Sequence, residues 1–355
     1  MRLLMITRKV DRDDGLAGFT FDWVKKIGEK IDKLYVICLE KGNTDGLPEN
    51  IKVMSVRSGV PAKNIFLRKI SDFLSFQKLA WQNVNRADGI FCHMNPEYTI
   101  AVWPAAKFFN KKIISWYAHR AVTFRLRILE KMAYKILTPS PESFRLKSKK
   151  VIITGHGIDT EKFKPGIKSS ADKFIIITVG RISPTKDLET LIKATRILIN
   201  DFNEKNILVE IVGAPGLKNH ESYYNSLIEM VKKMRLENYI NFRGNIPNKD
   251  IPKKLNNADL FVNLSNTGSV DKAVLEAMSA GIIPLSGNEA FLNILPEELM
   301  VKQNDFKLLA EKILALKKKS GDEKESIRKK MGQIVKENHN LEKLTAKIIN
   351  SFKNL

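Results

Sequence analysis

The 355-residue chain contains only two cysteines, Cys38 and Cys92. Two lone thiols rule out a disulfide scaffold and point to a reducing compartment. Long apolar runs are also missing: none reaches the ~18 residues that a membrane-spanning helix requires. The opening MRLLMITRKV has one short apolar stretch, then charges, and no small-residue cleavage site. It is expected to be a first strand and not a signal peptide. Neither G-x-x-x-x-G-K-[ST] nor a dehydrogenase-type G-x-G-x-x-G occurs, which removes the commonest nucleotide-phosphate fingerprints. The spacings of helix-turn-helix, RNP and zinc modules are absent too, so charge alone would argue for nucleic acid, and no nucleic-acid partner is expected. Asp11-Arg12-Asp13 has the spacing of a metal-binding acidic pair, but no His or further carboxylate cluster supports it. It reads as a solvated turn, and no metal or cofactor is expected.

Acidic residues are scarce in one stretch. Residues 51–150 carry 19 Lys/Arg against five Asp/Glu, whereas residues 1–50 carry nine of each. Most of the formal net charge of +21 therefore sits in this one segment. A basic surface there would attract anionic lipid, a pyrophosphate-linked acceptor or nucleic acid, although a lysine-rich chain that merely stays soluble would look the same. Within the segment, 62–84 has helical spacing, with Phe66, Ile70, Phe73, Leu74, Leu79, Ala80 and Trp81 on or near one face and Lys63, Arg68, Lys69 and Lys78 beside them. That mixture suits a membrane interface. It equally suits a helix that simply covers a sheet. A second basic helix is expected around Arg120, Arg125, Arg127, Lys131 and Lys135.

What is present is a βαβ rhythm. RLLMIT, KLYVICL, IKVMSV, GIFCHM, KIISWYA, KILTPS and KVIITG are Ile/Val/Leu-rich runs without polar alternation, as expected of strands buried on both faces. Helical patterns at 19–30, 63–84, 97–109 and 121–135 separate them. The rhythm pauses at the Gly/Pro stretch 163–170, the best linker candidate, and then restarts with FIIITVG, ILVEIVG, INFRG, LFVNLS and IIPLSG, with helices between. Two doubly wound parallel α/β domains follow: 1–164, and 165–337, with a C-terminal helix (338–355) expected to return to the first domain. The 43% of hydrophobic residues suffices for two cores.

In open parallel sheets ligands bind beyond the carboxyl ends of the strands. Three segments there carry chemistry. Gly180, Arg181 and Lys186 follow the first strand of the second domain and precede a helix at 187–202. A glycine permits close backbone approach, and two cations plus the free N–H groups of a helix start suit a diphosphate, including a leaving one. Thr267-Gly268-Ser269-Val270-Asp271-Lys272 leads into a helix at 271–280, again an anion site, with Asp271 and Glu276 about 1.4 turns apart and either able to accept ribose hydroxyls. Ordinary helix-start chemistry would use the same residues. His119, at the end of KIISWYA, is a candidate for orienting a sugar hydroxyl, although a lone His is more often structural.

The segments GHGIDTEKFKP (155–165), VGRISPTKDLETLIKA (179–194), VEIVGAPG (209–216), INFRGNIPNKDIPKKLNNADLFVNLS (240–265) and AVLEAMSAGIIPLSG (273–287) together resemble, in order and spacing, glycosyltransferase family 4, the retaining enzymes of GT-B fold. In the first half Gly18, His119 and Ser140 fit family positions. The resemblance implies two Rossmann-like domains facing a central cleft and a hexosyl transfer that needs no metal. Arg181 and Lys186 would hold the donor diphosphate, and backbone around Gly244, Asn245 and Ile246 would meet the base. Gly268, Ser269 and Lys272 would line the donor site and Glu276 would bind the ribose. Gly18 would admit the phosphates, and His119 would contact the transferred sugar. It also implies a nucleotide-sugar donor, UDP favoured over GDP, and a lipid-linked or glycan acceptor at the cytoplasmic face of an anionic membrane.

One departure stands out. The family carries two glutamates with seven residues between them. Glu276 fits the second, and the first falls on Gly268, leaving Asp271 as the nearest carboxylate that could substitute. The loss keeps a second reading open, a non-catalytic sugar-nucleotide-binding subunit of a glycan-assembly complex.

Overall fold

The computed structural model describes residues 1–15, 17–57, 65–168 and 173–353, without the side chains of residues 65 and 66. The chain divides into two compact units, Met1–Gly157 with Leu341–Leu355, and Ile158–Asn340. Each is a doubly wound, all-parallel α/β fold.

The first unit is built on β1 (Arg2–Val10), β2 (Lys33–Lys41), β3 (Ile51–Ser55), β4 (Gly89–His93), β5 (Ile113–Trp116), β6 (Lys135–Thr138) and β7 (Val151–Ile153). The sheet order is β3-β2-β1-β4-β5-β6-β7. Leu3, Leu4, Met5 and Ile6 of β1 are all but inaccessible, because helices cover both faces of a parallel sheet. Those helices are α1 (Gly18–Gly28), α2 (Ile65–Val84), α3 (Pro96–Phe108) and α4 (Phe124–Met132). Thr123 starts α4, its hydroxyl accepting from the Leu126 N–H at 3.2 Å, so Arg120 and Lys135 lie outside the basic helix. The Asp11 carboxylate pairs with Lys9 at 3.0 Å and accepts from the Asp13 and Asn43 N–H groups, as a structured turn does.

The single apolar face expected of α2 is two faces. Phe76, Ala80 and Val84 face the core. Leu67, Ile70, Phe73, Leu74 and Trp81 stay exposed, from 40% at Trp81 to 61% at Leu67 and Leu74. At 3.6 residues per turn, 76, 80 and 84 form one stripe, while 67, 70, 74 and 81 form another. Lys63 and the Phe66 side chain lie outside the described residues.

The second unit contains β8 (Phe174–Val179), α5 (Leu188–Asn200), β9 (Ile207–Val212), α6 (Glu221–Lys233), β10 (Ile240–Gly244), α7 (Ile251–Asn256), β11 (Leu260–Asn263), α8 (Lys272–Ser279), β12 (Ile283–Ser286), α9 (Phe306–Lys318) and α10 (Gly321–Asn338). Its order, β10-β9-β8-β11-β12, makes β8 and β11 neighbours at the topological switch point. The Gly/Pro stretch from Phe163 belongs to this unit. Phe163 is 1% exposed in its core, and its carbonyl accepts from the Ser279 hydroxyl at 2.5 Å. The last helix, α11 (Leu341–Lys353), returns to the first unit, where Leu344, Ile348 and Phe352 join the core that lies against α1. Among the described residues, no helix is long and apolar enough to cross a membrane. Cys38 and Cys92 are free and buried, and burial pushes both thiols up to about 12.

The carboxyl end of β4 carries a buried histidine. His93 Nδ1 lies 3.1 Å from the Thr7 hydroxyl, and its ring packs 4.7 Å from Trp23 and 5.4 Å from Trp116, centroid to centroid. Burial, reinforced by nearby His156, pushes its pKa down to about 3 from the ordinary 6.5. The folded state thus keeps the imidazole neutral where the unfolded chain protonates it. The contribution of His93 to the stability of the first unit is therefore complete above pH 6.5 and declines as pH falls from there toward 3. This one group contributes a slope of at most about 1.4 kcal/mol per pH unit. Urea denaturation between pH 7.5 and 4.5 is expected to show the decline, and His93→Gln to flatten it.

Candidate functional site

Three strands of the second unit end in glycine at their carboxyl edge. Gly180 follows β8 with φ +153°, Gly213 follows β9 with φ +140°, and Gly244 closes β10 with φ +66°. Their backbones interlock. Gly180 N–H donates to the Val212 carbonyl at 3.0 Å, and Gly213 N–H donates to the Gly244 carbonyl at 2.8 Å. A Cβ at Gly213 would lie 1.8 Å from the Gly180 carbonyl oxygen, whereas one at Gly244 would meet nothing within 4 Å. The edge is therefore a floor of bare backbone, closed at Gly213 and open above Gly244. Asn245 beyond it is exposed, and Ile246 packs partly against the core.

Over this floor lies Lys186. A Cβ at Gly180 would come within 3.6 Å of its Cε and 3.9 Å of its Nζ. Arg181 is exposed, and its stem occupies the space that a side chain at Gly216 would take, with Cδ 2.7 Å from an added Cβ. Among the described residues Arg181 has no carboxylate partner. At the helix start expected to add free N–H groups, the first of them is already taken. Residues 184–186 form a short 3-10 turn, and Asp187 adopts the left-handed conformation ahead of α5. The Leu188 N–H is taken by the Tyr223 hydroxyl at 3.3 Å. The Asp187 carboxylate binds the Thr190 hydroxyl at 2.9 Å, and burial lifts its pKa above the ordinary carboxylate value despite that bond.

The loop after β11 meets the loop after β8. The Asn266 N–H donates to the Thr185 carbonyl at 3.0 Å, and Lys186 Nζ lies 3.1 Å from Asp271 Oδ1. Asp271 does not belong to α8 as expected. It sits in extended conformation at the position before Lys272 and makes no side-chain bond to the helix start, because its carboxylate is turned to Lys186. Lys272 and Glu276, one turn apart on α8, form an ion pair with Glu276 almost fully buried. Lys272 Nζ also lies 5.6 Å from the centroid of the Phe163 ring. Gly268 is buried with φ +61°, a left-handed backbone in which a glutamate would be strained. Ser269 is half-buried beside it.

In the first unit, Gly18 opens α1, buried, its N–H donating to the Asp14 carbonyl at 3.1 Å. His119 lies three residues past the end of β5, not in the strand. It is exposed, and its Nδ1 accepts from the Ala121 N–H at 3.0 Å. It lines an open pocket of about 580 Å³ together with Met94, Tyr117, Phe124 and the Arg125–Glu97 ion pair. Ser140 is buried at the end of β6, 3.0 Å from the Ser143 hydroxyl.

Residues 159–338, just over half of the chain, match the family described as Glycosyl transferases group 1. The chain belongs to that family. Mannosylfructose-phosphate synthase of Agrobacterium fabrum is 21% identical over 216 residues, 53% of this chain and 46% of the relative. The UDP-Gal:alpha-D-GlcNAc-diphosphoundecaprenol alpha-1,3-galactosyltransferase of Escherichia coli is 26% identical over 171 residues, 44% of this chain and 42% of the relative. The chain thus spans about half the length of the curated relatives it matches. The crystal structure of Anabaena HepE in complex with UDP covers 100% of both chains with a TM-score of 0.78 at 16% identity. The likeness carries the GT-B fold class.

Two features of this group 1 chain escaped sequence reasoning. Gly213 is one, although a glycine directly after a buried strand was a signal for it. Asn288 is the other. It is fully buried beyond β12, with Nδ2 donating to the Ser269 carbonyl at 2.8 Å and lying 3.4 Å from Asp271 Oδ2. Its sequence context, SGNEA, has no marker beyond its place after a strand. Gly213→Ala must displace the Gly180 peptide and strain its own backbone. A cost of at least about 2 kcal/mol in stability is expected, read as a lower midpoint in urea denaturation.

Proposed function

We propose that the protein is a metal-independent, retaining glycosyltransferase of family 4. It would move a hexosyl group from a UDP-sugar to a lipid-linked or glycan acceptor at the cytoplasmic face of a membrane. The observation that carries this reading is the carboxyl edge of β8, where Lys186 lies over bare backbone at Gly180 and Arg181 extends beside it without a carboxylate partner among the described residues. Two cations set over exposed peptide suit a diphosphate, and they gain strength as the glycosyl–phosphate bond breaks and charge grows on the leaving oxygen. The base would rest at Gly244, Asn245 and Ile246, where the missing side chain leaves room. The ribose would reach the Glu276 carboxylate, already oriented by Lys272. Gly268, Ser269 and Lys272 would line the sugar side. Gly18 and His119 would serve from the first domain, Gly18 toward the phosphates and His119 toward the transferred sugar. In a front-side displacement the acceptor hydroxyl attacks the face that the leaving group departs from, and the leaving phosphate oxygen takes the hydroxyl proton. Configuration is retained and no metal or added base is required.

Two of the relatives support UDP as the nucleotide: one is named for UDP-Gal and a diphosphoundecaprenol acceptor, and the other was crystallised with UDP. Lys186→Ala is expected to lower donor turnover by at least about a hundredfold. Wild-type turnover is expected to be the same with and without EDTA, measured as UDP release across a panel of UDP- and GDP-sugars. Binding without turnover of any sugar, with acceptor lipid supplied, would favour the non-catalytic subunit instead, a reading that the glycine at position 268 keeps in play.

The membrane part of the proposal rests on α2. Leu67, Ile70, Phe73 and Leu74 project from the protein beside Arg68, Lys69 and Lys78, and Phe108, 72% exposed, packs 5.3 Å from Trp81. Apolar groups rimmed by cations bind anionic bilayers through burial and charge together. Flotation with vesicles containing phosphatidylglycerol is expected to carry the protein at low salt. Phe73→Glu with Leu74→Glu should weaken that binding about tenfold or more, from lost burial and added repulsion.

A further inference from the structure

Of the two cations after β8, one is open and one is already matched. Lys186 meets Asp271 at 3.1 Å, and each side chain is only 18% exposed. An aspartate just before a helix ordinarily accepts an N–H of the helix's first turn. Asp271 makes no such bond. One carboxylate oxygen faces Lys186, and the other faces Asn288 Nδ2 at 3.4 Å. Asn288 is anchored at both ends of its amide. Nδ2 donates to the Ser269 carbonyl at 2.8 Å, and Oδ1 accepts from the Ala290 N–H at 3.0 Å. The loop 267–271 is thereby tied to the carboxyl end of β12, and Asp271 is held within reach of the lysine.

Resting on the donor site proposed above, we propose that Asp271 stands in for the donor's diphosphate on Lys186 in the free protein, and that Asn288 is the positioning residue that keeps it there. A diphosphate that enters must exchange the carboxylate for a phosphate oxygen. The released carboxylate then lies near a like charge unless it turns to a sugar hydroxyl, which it can accept from. The pair therefore subtracts from the affinity of any phosphate and discriminates between ligands. An isolated phosphate has nothing to offset the exchange. A nucleotide sugar offsets it with its base, ribose and sugar hydroxyls. Asp271 on this account sets specificity through the cost of opening, and the open Arg181 makes the first contact.

The test is calorimetric titration of the full chain with UDP and with uridine, which lacks phosphate. Asp271→Asn is expected to bind UDP about tenfold more tightly than wild type and to bind uridine equally well. The gain should vanish in a Lys186→Ala background. Asn288→Ala should shift UDP affinity in the same direction, and should shift nothing once Asp271 is already Asn, because then it has no carboxylate to hold. Asp271→Ser serves as the second variant if the Asn form does not fold. Unchanged or weaker UDP binding in the variants overturns the proposal, as does an equal gain for uridine. Wild type that binds neither UDP nor GDP removes the donor site itself, a failure recognisable before any variant is made.

Discussion

The carbonyl oxygen of Gly180 sits where a side chain of residue 213 would be, 1.8 Å from an ideal Cβ. This contact between the ends of β8 and β9 governs the rest of the second unit's upper edge. Because residue 213 is glycine, the β8 loop lies down against β9 and continues through the Ile182 N–H to the Ala214 carbonyl at 3.0 Å. That course directs Arg181 along the surface over Gly216 and brings Lys186 back over Gly180. A larger residue at 213 would lift the loop, and both ammonium and guanidinium groups would lose their relation to the backbone floor. The chemistry of two cations thus depends on an absent side chain one strand away.

Apart from Arg181, charge on this edge is arranged in pairs that are local to it. Lys186 meets Asp271 across two loops, and Lys272 meets Glu276 along one helix. Both carboxylates come from the same short segment that follows β11, so a shift of that segment would alter both pairs. The charge of the first unit is organised differently. There the Lys/Arg residues of 51–150 outnumber the acids 19 to five, and α2 sets its basic residues beside apolar groups that do not reach the core. The two surfaces suit different ligands: a small, strongly charged one at β8, and a broad one of diffuse charge at α2.

Much of the fold was legible because a parallel sheet writes itself in sequence as apolar runs without alternation. Each of the twelve runs read as a strand is one, and the helices between differ by a few residues at their ends. The placement of the candidate residues was legible where they adjoin strands, as at Gly180, Arg181 and Lys186. It was illegible where partners come from distant segments. Asn288 is 17 residues from Asp271, and nothing in the residues between marks the two as neighbours. The faces of α2 were misjudged for a related reason. Its apolar residues, read as lying on or near one face, fall into two stripes, and only the sheet decides that it covers the one of Phe76 and Ala80. At the start of α5, Tyr223, 35 residues away, takes the N–H of Leu188, and nothing in the sequence marks that pair.

Gly268 lies in the same loop as Ser269 and Asp271. At the position where the resemblance to family 4 places a first glutamate stands a residue whose backbone, at φ +61°, is left-handed. A glutamate there would either strain the loop or rebuild it, and rebuilding would move Ser269, whose carbonyl is the anchor of Asn288. Asp271 holds its place through that same anchor. The glycine, the asparagine and the aspartate are therefore one arrangement: a loop whose carboxylate reaches Lys186 from the position just before α8. The lysine that this carboxylate faces is the one that lies over the bare end of β8.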